Sequence, residues 1–147
     1  MTAGLVLAQT QQHQALAAPE SIGILRAQTA ATLADWGVPG CAEYAVLVCS
    51  ELATNALRHG RIATLTVDLE LADGRLTLSV PDANPDPPLL DTWENDVSED
   101  GRGLVLVVTL ADAWGFRADR DGKTVFAEFD LTTTDLCPLG GRSLCTT

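Results

Sequence analysis

Ser50-Glu51-Leu52-Ala53-Thr54-Asn55-Ala56-Leu57-Arg58-His59-Gly60 is the most informative run in the chain. It closes a segment, residues 41 to 59, in which Ala45, Val48, Leu52 and Ala56 recur at helical spacing. Gly60 suits a helix stop, and Arg58 and His59 suit the last turn before it. Glu51, Asn55 and His59 follow one another at four-residue steps, so a helix lines them along one face. That face is offset from the apolar stripe by about a quarter turn. A carboxylate and a carboxamide therefore stand at the margin of the core. Asn55 can lend an oxygen to a hard cation such as magnesium. Glu51 can take a proton from a hydroxyl or orient a water. The same spacing also fits an ordinary solvated helix face.

On the N-terminal side, Pro19 and Glu20 suit a first helical turn, and Ile22, Leu25, Thr29 and Leu33 continue it toward Trp36-Gly37. Residues 1–14 read as a flexible leader or edge segment, with a short edge strand expected over Ala15 to Ala18. On the C-terminal side, Ile62 to Leu71 alternates as a strand. Asp73-Gly74 reads as a tight hairpin, and Leu76, Leu78 and Val80 form the returning strand. From Leu76 to Gly101 there are seven acidic residues and no basic one, with prolines at 81, 85, 87 and 88. This predicts a long loop or lid around Trp93. Leu104 to Leu110 reads as a third helix. Trp114 to Phe116 and Thr124 to Phe129 read as closing strands around an Asp121-Gly122 turn. Residues 132–147 form a polar tail. Strands joined by short turns pair antiparallel and need a helical cover. The expected fold is an α/β two-layer sandwich, with a mixed, mostly antiparallel sheet covered by about three helices.

Two further segments carry chemistry. Asp82 stands at a strand end, where a carboxylate can accept a hydrogen bond from the exocyclic amine of a purine; a simple turn-forming Asp fits as well. Gly101-Arg102-Gly103-Leu104 opens a helix, where free N–H groups and missing side chains let phosphates approach, although a flexible hinge looks the same. No complete phosphate-binding G-x-x-x-x-G-K-[ST] or dinucleotide G-x-G-x-x-G is present. Gly122-Lys123-Thr124 reads as a hairpin turn from which Thr124 reaches a ligand if its strand borders the pocket.

The formal net charge is −11, from 20 acidic and 9 basic residues, and Lys123 is the only lysine. No basic run is available to neutralise a duplex, so no direct nucleic-acid partner is expected. No apolar stretch is long enough to span a membrane, and the opening residues lack the positive charge of a signal peptide. Cys41, Cys49, Cys137 and Cys145 form no C-x-x-C pair, which fits reduced thiols in a cytoplasmic protein. His13 is expected at the surface.

In order and spacing, these motifs resemble the small GHKL-type, histidine-kinase-like ATPase domains, in the anti-sigma factor and serine-kinase branch of bacterial regulators. Residues 50–60 resemble the N box, Asp82 the aspartate of the first glycine box, and Gly101-Arg102-Gly103-Leu104 the second. Thr124 falls where the family often has a threonine near the purine. The likeness runs over about residues 15–131 and implies a Bergerat-type ATP-binding fold. By that resemblance Asn55 holds Mg2+ against the phosphates of ATP, and Glu51 is the general base. Asp82 binds the adenine amine, and Gly101, Gly103 and Leu104 cradle phosphate with Arg102 nearby. The implied function is a serine protein kinase that transfers the γ-phosphate of ATP to an anti-sigma antagonist. The alternative is a non-catalytic, ATP-responsive module that sequesters a sigma factor or another regulator. Relatives of this type commonly form homodimers. The chain departs from the family pattern after Asp82, where D-x-G-x-G is replaced by Asp82-Ala83-Asn84-Pro85-Asp86. This bears on adenine binding and catalysis more than on fold.

Overall fold

The computed structural model describes residues 8–38, 40, 42–88 and 106–131. Elements follow in the order β1 (Gln9–Leu16), α1 (Pro19–Asp35), α2 (Ala42–His59), β2 (Thr64–Ala72), β3 (Arg75–Asp82), β4 (Ala113–Asp119) and β5 (Gly122–Asp130), with residues 106–110 also helical. The five strands form one sheet in the order β1-β2-β3-β5-β4. Each neighbouring pair is antiparallel. The lid, Trp93, the Gly101-Arg102-Gly103-Leu104 motif, Cys41, Cys137, Cys145 and the 132–147 tail lie outside the described residues.

Strand parity builds the core. Leu65, Val67 and Leu69 of β2, Leu76, Leu78 and Val80 of β3, and Val125, Ala127 and Phe129 of β5 all turn to the side covered by helices. Helix α2 lies on β2, β3 and β5, and α1 packs on α2 and β1. Leu25 and Leu33 of α1 meet Ala45, Val48, Cys49 and Leu52 of α2 in the same cluster. Truncating a core leucine such as Leu52 to alanine costs about 2–5 kcal/mol. Within this layer the Thr29 hydroxyl lies 3.5 Å from the Cys49 sulfur, and burial pushes the Cys49 thiol up. Helix α1 ends as its sequence predicts. Gly37 has φ of 73°, and the Val38 N–H returns to the Leu33 carbonyl at 3.0 Å.

Several details differ from the expectations. Strand β1 starts at Gln9, well before Ala15, and pairs with β2 along its whole length. An edge strand tolerates polar side chains, and Gln12 Nε2 donates to Asp68 Oδ1 across the pair at 2.7 Å. His13 is not a free surface residue. It sits on the inward side of β1, with Nε2 2.9 Å from the Thr32 hydroxyl of α1, and burial lowers its pKa. Strand β3 continues through Pro81 to Asp82. Its pairing with β2 stops at Ser79, so the proline has no β2 partner. The Asp73-Gly74 hairpin has positive φ at both residues, 53° and 74°. The second hairpin turns instead on residues 120–121, because Gly122 already pairs with Asp119 as the first residue of β5. Among the described residues, no helix is long and apolar enough to cross a membrane.

Candidate functional site

The polar face of α2 divides by burial. Glu51 is half-buried, and Asn55 is only 8% exposed. Parity explains Asn55: it stands next to Ala56 and three residues after Leu52, close enough to the apolar stripe to be drawn under cover. Its Oδ1 is buried and finds no hydrogen-bond partner among the described residues. A buried acceptor without a partner is disfavoured by about 1–3 kcal/mol, so such an atom calls for a water, an ion or a ligand; Gln28 Oε1 of α1 is a second buried acceptor of this kind. At Asn55 the donor is a hard, neutral oxygen of the kind magnesium accepts. Asn55 therefore fits the cation that the sequence reading assigns to it. No group of three or more His, Cys, Asp or Glu side chains able to hold a metal occurs among the described residues. A cation at Asn55 would complete its shell with phosphate oxygens and water, the usual habit of magnesium.

The end of α2 is bolted to the end of β3. The Ala83 N–H donates to the Gly60 carbonyl at 2.9 Å, and Asn84 Nδ2 donates to the His59 carbonyl at 2.8 Å. These bonds satisfy carbonyls that a helix end otherwise leaves open. Gly60 is needed for proximity rather than for a left-handed cap. A Cβ there would come within 2.6 Å of both the Ala56 carbonyl oxygen and Asp82 Cβ. The left-handed residue is the next one, Arg61, with φ of 57°. Asn84 does not have a positive φ and acts as a clip. Besides its bond to His59, its backbone N–H donates to Asp82 Oδ1 at 2.8 Å, and its Oδ1 accepts the Asp86 N–H at 3.0 Å.

Asp82 is reached from a third side by Lys123, which belongs to β5 and not to the preceding turn. Lys123 is its register partner across β3 and β5. The Lys123 ammonium lies 3.2 Å from Asp82 Oδ1 and 3.1 Å from Oδ2, and donates to the Asn84 carbonyl at 2.8 Å. Both side chains are 2% exposed. Gly122 permits the approach, because a Cβ there would fall 2.0 Å from the Asp82 carbonyl oxygen. Parity was the available signal. Lys123 precedes Val125, Ala127 and Phe129 at two-residue steps and so shares their inward face. The same parity turns Thr124 to the opposite face, beside Pro81, and the structure does not bring it together with Asp82. Asn55, Gly60 and Asp82 thus gather around the C-terminal half of α2. Gly101, Arg102, Gly103 and Leu104 lie outside the described residues.

The family described as "Histidine kinase-like ATPase domain" matches residues 15–129. No curated protein matches the chain in sequence. Among solved structures, the RsbU and RsbW domains of Rv1364c from Mycobacterium tuberculosis superpose with a TM-score of 0.64 at 22% identity, covering 84% of this chain and 32% of that one. The chain thus spans about a third of that protein's length. The Acinetobacter baumannii histidine kinase AdeS superposes with a TM-score of 0.50 at 13% identity, covering 90% of this chain and 73% of that one. Both likenesses concern the fold.

Proposed function

The chain belongs to the histidine kinase-like ATPase domain family, and from that premise we propose that it binds ATP with Mg2+ to regulate another protein. In this reading it is an anti-sigma factor-like serine protein kinase in the cytoplasm. Its substrate is a serine hydroxyl on an anti-sigma antagonist, and ATP is the phosphoryl donor. The observation that carries the reading is the buried, unpartnered Oδ1 of Asn55 on the helix whose sequence first suggested the site. Family membership supports the nucleotide, and the orphaned oxygen supports the cation.

Each residue then has a role. Asn55 directs a neutral oxygen at the cation and orients it. Magnesium supplies charge neutralisation at the phosphates when bound. Glu51, one helical turn earlier, accepts the proton of the incoming serine hydroxyl. Asp82 faces the base, held in place by Asn84 and by the close packing at Gly60. Gly101, Arg102, Gly103 and Leu104 complete the phosphate contacts, and Thr124, on the opposite face of the sheet, takes no part.

The test is incubation of the purified protein with labelled ATP and candidate antagonist proteins. Transfer to a serine of one candidate is expected, and Glu51→Ala should reduce it by about 10²–10⁴-fold without loss of ATP affinity. ATP binding with no transfer to any candidate would contradict the kinase assignment. A second reading, a non-catalytic ATP-responsive module that sequesters a sigma factor, is favoured by one observation: the Asp82 carboxylate is already held by Lys123. That version fails if Glu51→Ala abolishes cellular function while partner affinity stays intact.

A further inference from the structure

Asp82 is the group assigned above to the nucleobase, yet its carboxylate has little capacity left. A carboxylate offers about four lone-pair sites. Oδ1 faces both the Asn84 N–H and the Lys123 ammonium, and Oδ2 faces the ammonium again. The ammonium is occupied too: it donates to Asp82 Oδ1 and to the Asn84 carbonyl and lies 3.1 Å from Asp82 Oδ2. With both side chains 2% exposed, no ligand amine reaches Asp82 while the pair stands.

We propose that Lys123 is an internal competitor for the base-reading carboxylate and sets how strongly this site discriminates the base of a nucleotide. The inference rests on the nucleotide reading given above. An amine of adenine must replace an ammonium held by three contacts, so the base adds little net affinity in the native chain. Binding is then carried by the phosphates and the cation at Asn55, which do not distinguish ATP from GTP. Removing the ammonium leaves Asp82 buried and short of a donor, a defect that the adenine amine repairs and the guanine carbonyl oxygen does not.

Calorimetry of the native chain and of Lys123→Met with Mg-ATP and Mg-GTP tests this. The native chain is expected to bind the two alike. Lys123→Met should bind ATP tighter by about tenfold or more, the equivalent of one charged hydrogen bond, with GTP affinity unchanged. Equal or weaker ATP binding by the variant, or ATP and GTP affinities that rise together, overturns the proposal. If neither protein binds either nucleotide, the nucleotide reading itself falls and this proposal with it.

The native chain gives a second measurement that needs no substitution. Lys123 is the only lysine, so lysine labelled with 13C at Cε and 15N at Nζ yields one side-chain signal. Saturation with Mg-ATP should move that signal, whereas saturation with magnesium tripolyphosphate, which has no base, should leave it in place. A signal unmoved by saturating ATP, or moved equally by tripolyphosphate, overturns the proposal even where Lys123→Met does not fold.

Discussion

Among the buried polar groups under the helical layer, Asn55 and Asp82 differ in what they still need. At Asn55 an acceptor is buried with no partner among the described residues. At Asp82, a carboxylate, an ammonium and the Asn84 backbone satisfy one another. The first is incomplete as a protein structure and makes sense with a ligand. The second is complete without one. Burial alone therefore does not mark a ligand contact. What distinguishes the two is whether the buried group's hydrogen-bonding capacity is met.

The contrast can be broken by substitution. The largest expected effect is at the satisfied spot. Asp82→Ala strands the Lys123 ammonium inside the protein and should destabilise the unliganded chain by about 3–5 kcal/mol in urea unfolding. A loss below about 1 kcal/mol, the scale of a surface pair, would mean that the pair is solvated and the contrast is false. Next comes the joint between the spots. Gly60→Ala places a methyl group against the Ala56 carbonyl and Asp82 Cβ, and should cost about 1–3 kcal/mol. Unchanged stability would show that α2 and β3 are less tightly joined than described. At the incomplete spot, Asn55→Ala should alter the stability of the unliganded chain by less than about 1 kcal/mol, since no protein hydrogen bond is lost. A larger loss would reveal a structural partner for Oδ1.

The smallest effect lies at the sheet edge. Burial lowers the pKa of His13 from its ordinary value of 6.5. As pH falls below that value the unfolded chain takes up a proton that the folded chain resists, so this contribution is present above 6.5 and is lost on acidification. Stability of the native chain should therefore fall more steeply below pH 6.5 than that of His13→Gln. Parallel acid limbs would remove His13 from the account.

Much of this was legible because it is local. The Leu25, Thr29 and Leu33 spacing marked α1, and the Ala45-Val48-Leu52-Ala56 stripe marked α2 and placed Asn55 at its margin. Asp73-Gly74 fixed the first hairpin through its positive φ angles. What escaped depends on long-range pairing. The Asp82–Lys123 contact joins residues 41 positions apart in the chain and exists only because β3 and β5 are neighbours in a particular register. Gly60 and Gly122 looked like helix-stop and turn residues, and their second purpose, close approach to the Asp82 strand, has no local signature. Strand β1 was read short because its glutamines lack a hydrophobic period. An edge strand draws its order from a partner backbone rather than from its own side chains.

The most direct test of the central claim is calorimetric titration of ATP into the native chain and into Asn55→Ala, each with and without Mg2+. The native chain should bind ATP far more tightly with the cation than without it. In the variant that cation dependence should collapse, with Mg-ATP affinity reduced by about tenfold to a hundredfold. An undiminished magnesium effect in Asn55→Ala would show that the orphaned oxygen on α2 is not where the cation is held.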